Sequence, residues 1–472
     1  MSRKWTAGWI RTGAFSAVLA LATVGAGATR AENLADALIG AYNTSGLLEQ
    51  NRAVLRAADE DVAQAISTLR PVLDFVARAR TTNQRLNPGG ILSELASNRI
   101  TAGLELTWLL FDGGARELGL TAAKEIVLAT RQTLLSFEQR VLQRAVAAYM
   151  NVILQTENVS LRENNVRVLG EELRAAQDRF EVGEVTRTDV ALAESRLAAA
   201  RSNLAAARGL LVNAQAEYTN AVGRRPGTLV TPTNLPRKPA SIEAAQAVAV
   251  RTHPDILAAQ RQVAALELRI LQAERGLGPS VAGSVAVGLI DSWDSDNDGF
   301  DSSVSLDLRQ PIYRGGALQS NVRSAMANRD AARGNLLNVQ RDTVQGVNDA
   351  YVRLEVARAS LVATAERVRA AQVAFDGIRE EATLGARTTL DVLAAEQELL
   401  DALTSQISAR AEEVIASYQL LATQGLLTAE RLGLAVQIYD PTIYYNLAKD
   451  APARVSRQSR DLDRVLEALG KK

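Results

Sequence analysis

The chain has 472 residues, no cysteine, one histidine, and 53 basic and 53 acidic residues. The absence of cysteine excludes disulfides, thiolate metal sites and an N-terminal lipid anchor on cysteine. A single histidine and no phosphate-binding glycine loop leave no His-based triad or nucleotide site in view, so we expect neither an enzyme nor a bound cofactor. Without residues 1–31 the net charge is 49 − 53 = −4, which gives no indication of a nucleic-acid partner.

Residues 1–31 have the pattern of a secretory signal peptide. Arg3, Lys4 and Arg11 precede an apolar run over 14–22, and small residues follow towards Ala31. A membrane anchor is the alternative, but this run is shorter than the ~20 apolar residues that a spanning helix needs. We therefore expect residues 1–31 to be removed during export.

The first of two repeats is predicted over residues 32–222. An amphipathic helix runs from Asn33 to Leu69, and Pro71 ends it. A β-hairpin follows at about 71–111, because side chains there alternate between apolar and polar in two stretches.

Long helices follow the hairpin. Gly113 and Gly114 mark the turn from strand to helix, and apolar residues then recur every seven positions, which predicts coiled-coil packing. Gly183 ends this helix, and a second helix returns from Thr188 to Val222. Residues 223–241 hold four of the eleven prolines and form the predicted linker.

The second repeat, over residues 242–425, follows the same plan. Gly315 and Gly316 lie 202 positions after the first pair (315 − 113 = 202), and Gly385 follows Gly183 at the same distance. A constant offset indicates an internal duplication. Its helix from Ile242 to Arg275 precedes a hairpin at about 279–313, which is followed by a long helix to Leu384 and a return helix to Gln424. The C-terminal segment, 426–472, is expected to have a mobile end.

Both hairpins have one apolar face and one polar face with charged residues. In the first, a polar loop is expected from Thr81 to Arg99. Strands of about ten residues with this alternation match those of membrane barrels, whose interior is polar. An amphipathic hairpin on a soluble core is the alternative. The candidate lumen residues are Asp74, Arg78, Glu105, Asp307 and Arg309.

Two hairpins supply four strands, whereas closed membrane barrels begin at about eight. An open sheet edge in lipid leaves backbone groups unpaired, at several kcal/mol each. The sequence therefore predicts a protein that is mainly α with a membrane β-barrel, built by several copies of the chain.

The duplicated motifs resemble the TolC family of outer-membrane efflux and secretion channels over essentially the whole mature chain. The resemblance is carried by the duplication, by Pro71 and Pro279 before the strands, by the turn over 311–316 and by the tip over 385–393. It implies a homotrimer with a 12-stranded barrel in outer-membrane lipid above an α-helical tunnel that crosses the periplasm. Trp108-Leu109 departs from Gln310-Pro311, the form typical of the family, so a difference from the family is expected at this strand end.

By the same resemblance, the helix tips close the tunnel. An Arg at the position of Arg387 is tied to the Thr and Asp matching Thr188 and Asp189, which forms a latch that a docking partner can overcome. The alternative is that Thr and Asp cap the return helices; the residues could do both. Asp391 matches an acidic ring at the tunnel entrance of the family, but Ala394 stands at the position of the second acid, so the resemblance implies a thinner negative ring.

Two further motifs have simpler interpretations. Asp294, Asp296 and Asp298 fit half of a calcium loop, but position twelve is Ser305, so a solvated acidic loop is favoured over a metal site. His253 precedes a proline and is expected to begin a helix rather than to act as a ligand or base.

The predicted function is a passive outer-membrane exit duct of a tripartite export system. Its expected partners are a periplasmic adaptor (membrane fusion) protein and an inner-membrane transporter, either ABC or proton-driven. The segment from Leu432 to Tyr445 most resembles the type I protein secretion branch. The outlet of a multidrug efflux pump is the alternative within this class, and a soluble periplasmic coiled-coil scaffold is the alternative outside it.

Overall fold

The computed structural model describes residues 32–86, 93–292, 298–451 and 456–468. The predicted signal peptide lies outside the described residues, as do Asp294 and Asp296 of the calcium motif. Within these ranges the chain forms long helices and a single four-stranded antiparallel sheet. In chain order the elements are α1 (Leu34–Thr44), α2 (Gly46–Ser67), β1 (Val72–Leu86), β2 (Ser93–Phe111), α3 (Ala115–Glu181), α4 (Arg187–Val222), α5 (Ile242–Thr252), α6 (Pro254–Arg275), β3 (Ser280–Ser292), β4 (Gly299–Arg309), α7 (Ala317–Thr383), α8 (Thr389–Thr423), α9 (Pro441–Lys449) and α10 (Arg457–Ala468).

The internal duplication extends to the helix boundaries. Helices α3 and α7 have 67 residues each and start 202 positions apart (317 − 115 = 202), as do α4 and α8. At 1.5 Å per residue each long helix is about 100 Å in length. The shorter helices α1 and α5 start 208 positions apart (242 − 34 = 208), so the first hairpin region is longer by six residues.

The expectation of one unbroken helix before each hairpin is wrong. The first helix breaks at Ser45 and the second at His253, and each of these residues caps the helix that follows. Their backbones are extended, with ψ of 111° and 123°. His253 accepts a hydrogen bond from the Asp255 amide, which confirms that it begins a helix.

The breaks let a threonine reach across to the end of a return helix. Thr44 Oγ1 donates to the Val222 carbonyl at 3.0 Å, and Thr252 Oγ1 donates to the Gln424 carbonyl at 2.7 Å. The Val222 carbonyl ends α4 and the Gln424 carbonyl directly follows α8, where carbonyls have no partner within the helix. The same joint therefore holds the short helices to the return helices in both repeats.

The first hairpin is longer than expected. Much of the predicted loop from Thr81 to Arg99 is strand, because β1 continues to Leu86 and β2 begins at Ser93. The side chains at these strand ends are mostly polar and do not alternate with apolar ones, although the backbone pairing of β1 with β2 continues to Leu86 and Ser93. The strand order is β1-β2-β3-β4.

The largest core lies about halfway along the long helices, between the sheet and the helix tips. Tyr149 of α3 and Tyr218 of α4 are fully buried there, with Leu427 from the segment after α8. Helix α9 packs on α2, where the Tyr444 hydroxyl donates to Glu60 at 2.7 Å. Helix α10 forms at the predicted mobile end and buries none of its described side chains. None of the helices within the described ranges is long and apolar enough to cross a membrane.

Candidate functional site: a two-faced sheet and paired helix tips

The strand register places all five predicted lumen residues on one face. Asp74 pairs with Glu105, and each cross-strand pair shares a face. Followed through β3 to β4, this face also contains Asp307 and Arg309. Arg78 Nη2 lies 3.1 Å from Glu105 Oε2, a cross-strand ion pair on the same face.

The opposite face is apolar and exposed. Its side chains come from all four strands, and residues this apolar are rarely left in a contiguous exposed patch on a soluble monomer. The most exposed are Leu73, Phe75, Leu289, Phe300, Val304, Leu306 and Leu308, each at least 62% exposed. A surface of this kind requires lipid or another protein against it.

The sheet is also open at both sides. Within the described residues β1 pairs only with β2 and β4 only with β3, so each leaves one backbone edge unpaired. The single chain therefore presents an open four-stranded sheet, not a closed barrel.

All four predicted strand-to-helix glycines have positive φ, between 57° and 85°. This left-handed conformation is one that a side chain resists. In the first turn Arg116 donates to Asp112 Oδ2 at 3.0 Å, to the Thr68 carbonyl at 2.6 Å and to the Leu109 carbonyl. Partial burial raises the pKa of Asp112, but hydrogen bonds from Arg116 outweigh this and lower it. The turn thus fastens α2, β2 and α3 together.

In each hairpin a side chain near the strand end donates a hydrogen bond to a carbonyl after the preceding helix, but the donor residue differs. Trp108 Nε1 donates to the Leu69 carbonyl at 3.2 Å, and Gln310 Nε2 donates to the Leu277 carbonyl at 3.2 Å. These carbonyls occupy equivalent positions after α2 and α6. The sequence comparison shows the departure at Trp108 but not this equivalence, which depends on the folded chain. The strand ends do differ, since β2 reaches Phe111 and β4 stops at Arg309.

The far ends of the long helices turn in the same way in both repeats. At Gly183 (φ 82°) the Glu184 amide donates back to the Arg179 carbonyl, and at Gly385 (φ 77°) Ala386 repeats this bond. Arg179 Nη2 also donates to the Ala382 carbonyl at 3.3 Å, so the two tips touch. A cleft of about 580 Å³ lies between them.

Each return helix begins with a capping box. Thr186 Oγ1 donates to Asp189 Oδ2 at 2.8 Å, and Thr388 Oγ1 donates to Asp391 Oδ2 at 2.8 Å. Hydrogen bonds from the two threonines lower the pKa of both aspartates. The capping threonine is Thr186, not Thr188, and its T-x-x-D spacing is a signal that the sequence already contained.

The structure places the four latch residues at the tips but does not join them within one chain. Arg387 Nε donates to Glu381 Oε2 at 2.7 Å, and this ion pair is about half exposed. Thr188 is exposed, and the Asp189 carboxylate accepts from Thr186. Asp391 adds to the favourable charge around Arg387, whose pKa is raised chiefly by Glu381. Ala394 is exposed one turn after Asp391.

A buried acid between the coiled coils escaped sequence analysis. Glu396 of α8 accepts a hydrogen bond of 2.6 Å from Asn165 Nδ2 of α3, and both side chains are buried. Burial raises the pKa of Glu396 to about 7, against the effect of the Asn165 hydrogen bond. In the sequence both residues look like solvated coiled-coil positions.

The remaining metal candidate gains no support within the described residues. Asp298 Oδ1 accepts from the Ser292 amide at 3.3 Å, a contact that joins the ends of β3 and β4. No cluster of three or more His, Asp or Glu side chains suited to a metal occurs in the described ranges.

A duplicated chain with two long coiled coils, a sheet with a polar and an apolar face, and paired tips defines the channel class of outer-membrane proteins. The outer membrane efflux protein family matches residues 41–224 and 247–426, and the chain belongs to this family. It is therefore a passive outer-membrane channel protein, not an enzyme, and the soluble scaffold alternative is wrong.

Individual relatives agree with this assignment. The chain is 36% identical over 441 residues to the outer membrane efflux protein BepC of Brucella suis, covering 92% of this chain and 94% of BepC. It is 26% identical over 422 residues to the outer membrane protein TolC of Escherichia coli K12, covering 86% and 84%. It is 25% identical over 309 residues to the alkaline protease secretion protein AprF of Pseudomonas aeruginosa, covering 63% and 64%.

The fold also matches solved channels. The structure of the Campylobacter jejuni CmeC outer membrane channel superposes with a TM-score of 0.74 at 18% identity, covering 89% of each chain. The TolC-family resemblance found in the sequence is thereby confirmed for family and fold.

Proposed function

We propose that three copies of this chain close their sheets into one 12-stranded barrel and their long helices into a tunnel below it. The observation that carries this proposal is the sheet itself, which has one exposed apolar face, one charged face and two open edges. Lipid would cover the apolar face, and neighbouring strands would cover the edges.

Exposed apolar residues on α7 support the helical part of the assembly. Val352, Val356, Val362 and Val373 are between 52% and 69% exposed along one long helix. A second copy of the chain packed against α7 would remove them from water. Mass measurement of the detergent-purified protein tests the assembly, and a monomer that still forms channels would contradict it.

The proposed duct receives cargo from an inner-membrane transporter through a periplasmic adaptor, and type I protein secretion is the favoured use. Similarity to AprF, a secretion protein by name, and the segment from Leu432 to Tyr445 support this use. The name of BepC supports efflux as the second candidate. Deleting the gene separates them: lost protein secretion with unchanged drug resistance supports the first, and the reverse result supports the second.

The tips form the proposed gate, in which Arg387 reaches Thr188 and Asp189 of the partner subunit. Arg387 is half exposed, and the contact that holds it inside its own chain is a surface ion pair with Glu381, which solvent screening keeps weak. It can therefore exchange that contact for a similar one at modest cost. Adaptor docking would then pull the tips apart.

Single-channel recording tests the latch. Arg387→Ala and Asp189→Ala should each raise the conductance of the purified channel, because the closed state loses a contact. Arg367→Ala is the matched control, since Arg367 makes a comparable exposed ion pair with Glu398 far from the tip. Unchanged conductance in both tip variants would refute the latch and leave the barrel untouched.

Asp391 is the proposed acidic ring at the entrance. With alanine at position 394, the ring has a single layer, so cation preference should be modest. The reversal potential in a salt gradient should move towards zero in Asp391→Asn.

A further inference from the structure

The open edges of the sheet differ in charge. On the polar face β1 carries Asp74, Arg78 and Arg80, whereas β4 carries Asp301, Asp307 and Arg309. We propose that β4 of one copy pairs with β1 of the next in one register, in which Arg309 lies opposite Asp74 of the partner subunit. This inference rests on the proposed barrel and specifies how its chains join.

Strand lengths and faces leave three registers. All 11 residues of β4 find a partner within the 15 of β1 when Arg309 lies opposite a residue between 72 and 76. Slips of one residue would set the charged face of β4 beside the apolar face of β1. Arg309 can therefore face only Val72, Asp74 or Val76 of the partner subunit.

The strand tilt of barrels removes one of the three. Inside one chain Val72 is level with Ser305, through the pairs with Thr107 and Ser284. In the three registers Ser305 faces a residue of the partner subunit's β1 that lies four, six or eight positions after Val72. Across four strands at ~4.8 Å, with a rise of ~3.3 Å per residue, these offsets give tilts of about 35°, 45° and 55°.

Barrel strands tilt by about 35–45°, so the largest offset is excluded. This result does not depend on the number of copies, because each copy contributes the same four strands and the same offset.

The charges on the polar face favour one of the two remaining registers. With Arg309 opposite Val72, Asp307 would lie directly opposite Asp74 of the partner subunit, and directly opposed like charges destabilise a sheet. With Arg309 opposite Asp74, no like charges are directly opposed. Asp307 then lies opposite Val76, diagonal to Arg78, and Ser305 and Ser303 face Arg78 and Arg80.

Disulfide cross-linking distinguishes these registers, and the chain has no cysteine of its own to interfere. Leu308→Cys is combined in turn with Leu73→Cys, Phe75→Cys or Ala77→Cys, all on the apolar face. These pairs report Arg309 opposite Val72, Asp74 and Val76, respectively. Outer membranes are oxidised and run on a non-reducing denaturing gel.

The Leu308→Cys/Phe75→Cys variant should form covalent oligomers at about tenfold higher yield than the other two. Residues directly opposite lie within disulfide reach, whereas diagonal neighbours are about 7–8 Å apart and lie beyond it. Preferential cross-linking through Leu73 or Ala77 would overturn the register but keep the barrel. No cross-link in any variant, although the copies co-purify, would overturn the proposed barrel itself.

A charge exchange tests the ion pair separately. Asp74→Arg and Arg309→Asp should each lower the yield of the Leu308–Phe75 cross-link, and the double variant should restore it. Asp301→Asn is the control, since Asp301 faces Thr82 in the proposed register but would face Arg80 if Arg309 lay opposite Val72. No recovery in the double variant, or a loss in Asp301→Asn equal to that of the single reversals, would overturn the pair.

Discussion

Replacing Asp59 by asparagine should make the protein more stable at neutral pH and leave it unchanged in acid. Asp59 lies on α2 and is fully buried, and neither carboxylate oxygen has a hydrogen-bond partner among the described residues. Burial raises its pKa from 3.8 to about 7; Arg131 opposes this shift and Glu60 adds to it.

The direction of the effect follows from the two pKa values. Because the folded-state pKa exceeds the unfolded value, the stabilising contribution of the proton is complete below pH 3.8 and is lost as pH rises to about 7. A difference of about three pKa units corresponds to an upper limit of about 4 kcal/mol, at 1.36 kcal/mol per unit. Above pH 7 no further loss is expected from this group.

Unfolding of the detergent-purified protein, followed by circular dichroism from pH 4 to pH 8, measures this effect. Asp59→Asn should unfold at a higher temperature than the wild type at pH 8 and at the same temperature at pH 4. Asp61→Asn is the matched control, the same change two residues away on the exposed side of α2. An identical pH dependence in Asp59→Asn and the wild type would refute the assignment.

Two further predictions concern the joints of the repeats. Gly223→Ala should lower stability by at least about 1–2 kcal/mol, because φ is +84° and the new Cβ would lie 2.4 Å from Thr44 Oγ1. Gly209→Ala, whose Cβ would meet no described atom within 4 Å, should be neutral or stabilising in the same denaturation assay. Trp108→Gln should preserve the oligomer on a denaturing gel, since Gln310 makes the equivalent hydrogen bond in the second hairpin. Trp108→Phe, which has no donor, should weaken the oligomer. Equal oligomer yields in the two variants would contradict the role of this hydrogen bond.

The periodic features of this protein could be predicted from its sequence. Alternation in the hairpins located the polar face correctly, because each strand side chain points to the face that its position dictates. The 202-residue offset located the long helices and their glycine turns, since only glycine readily adopts the positive φ found at Gly113 and Gly183.

Features that depend on contacts between distant segments could not be predicted. A glycine follows the helix break at Ser45, but Gly40 and Gly46 both lie inside helices, so glycine does not mark the break. The bond that accompanies the break, from Thr44 to Val222, joins residues 178 positions apart. Asp59 and Glu396 lie in helical patterns where an acid normally faces water. Their burial depends on the C-terminal segment and on the opposing coiled coil, which periodicity does not reveal.

Labelling of single cysteines in intact outer membranes tests the central claim most directly, namely that one face of the sheet meets lipid and the other lines an aqueous lumen. Leu104→Cys and Glu105→Cys are neighbours on opposite faces, as are Leu306→Cys and Asp307→Cys. A water-soluble maleimide should react with the cysteines at 105 and 307 and spare those at 104 and 306 until the protein is denatured. Equal reaction at all four positions in the native membrane would contradict the channel.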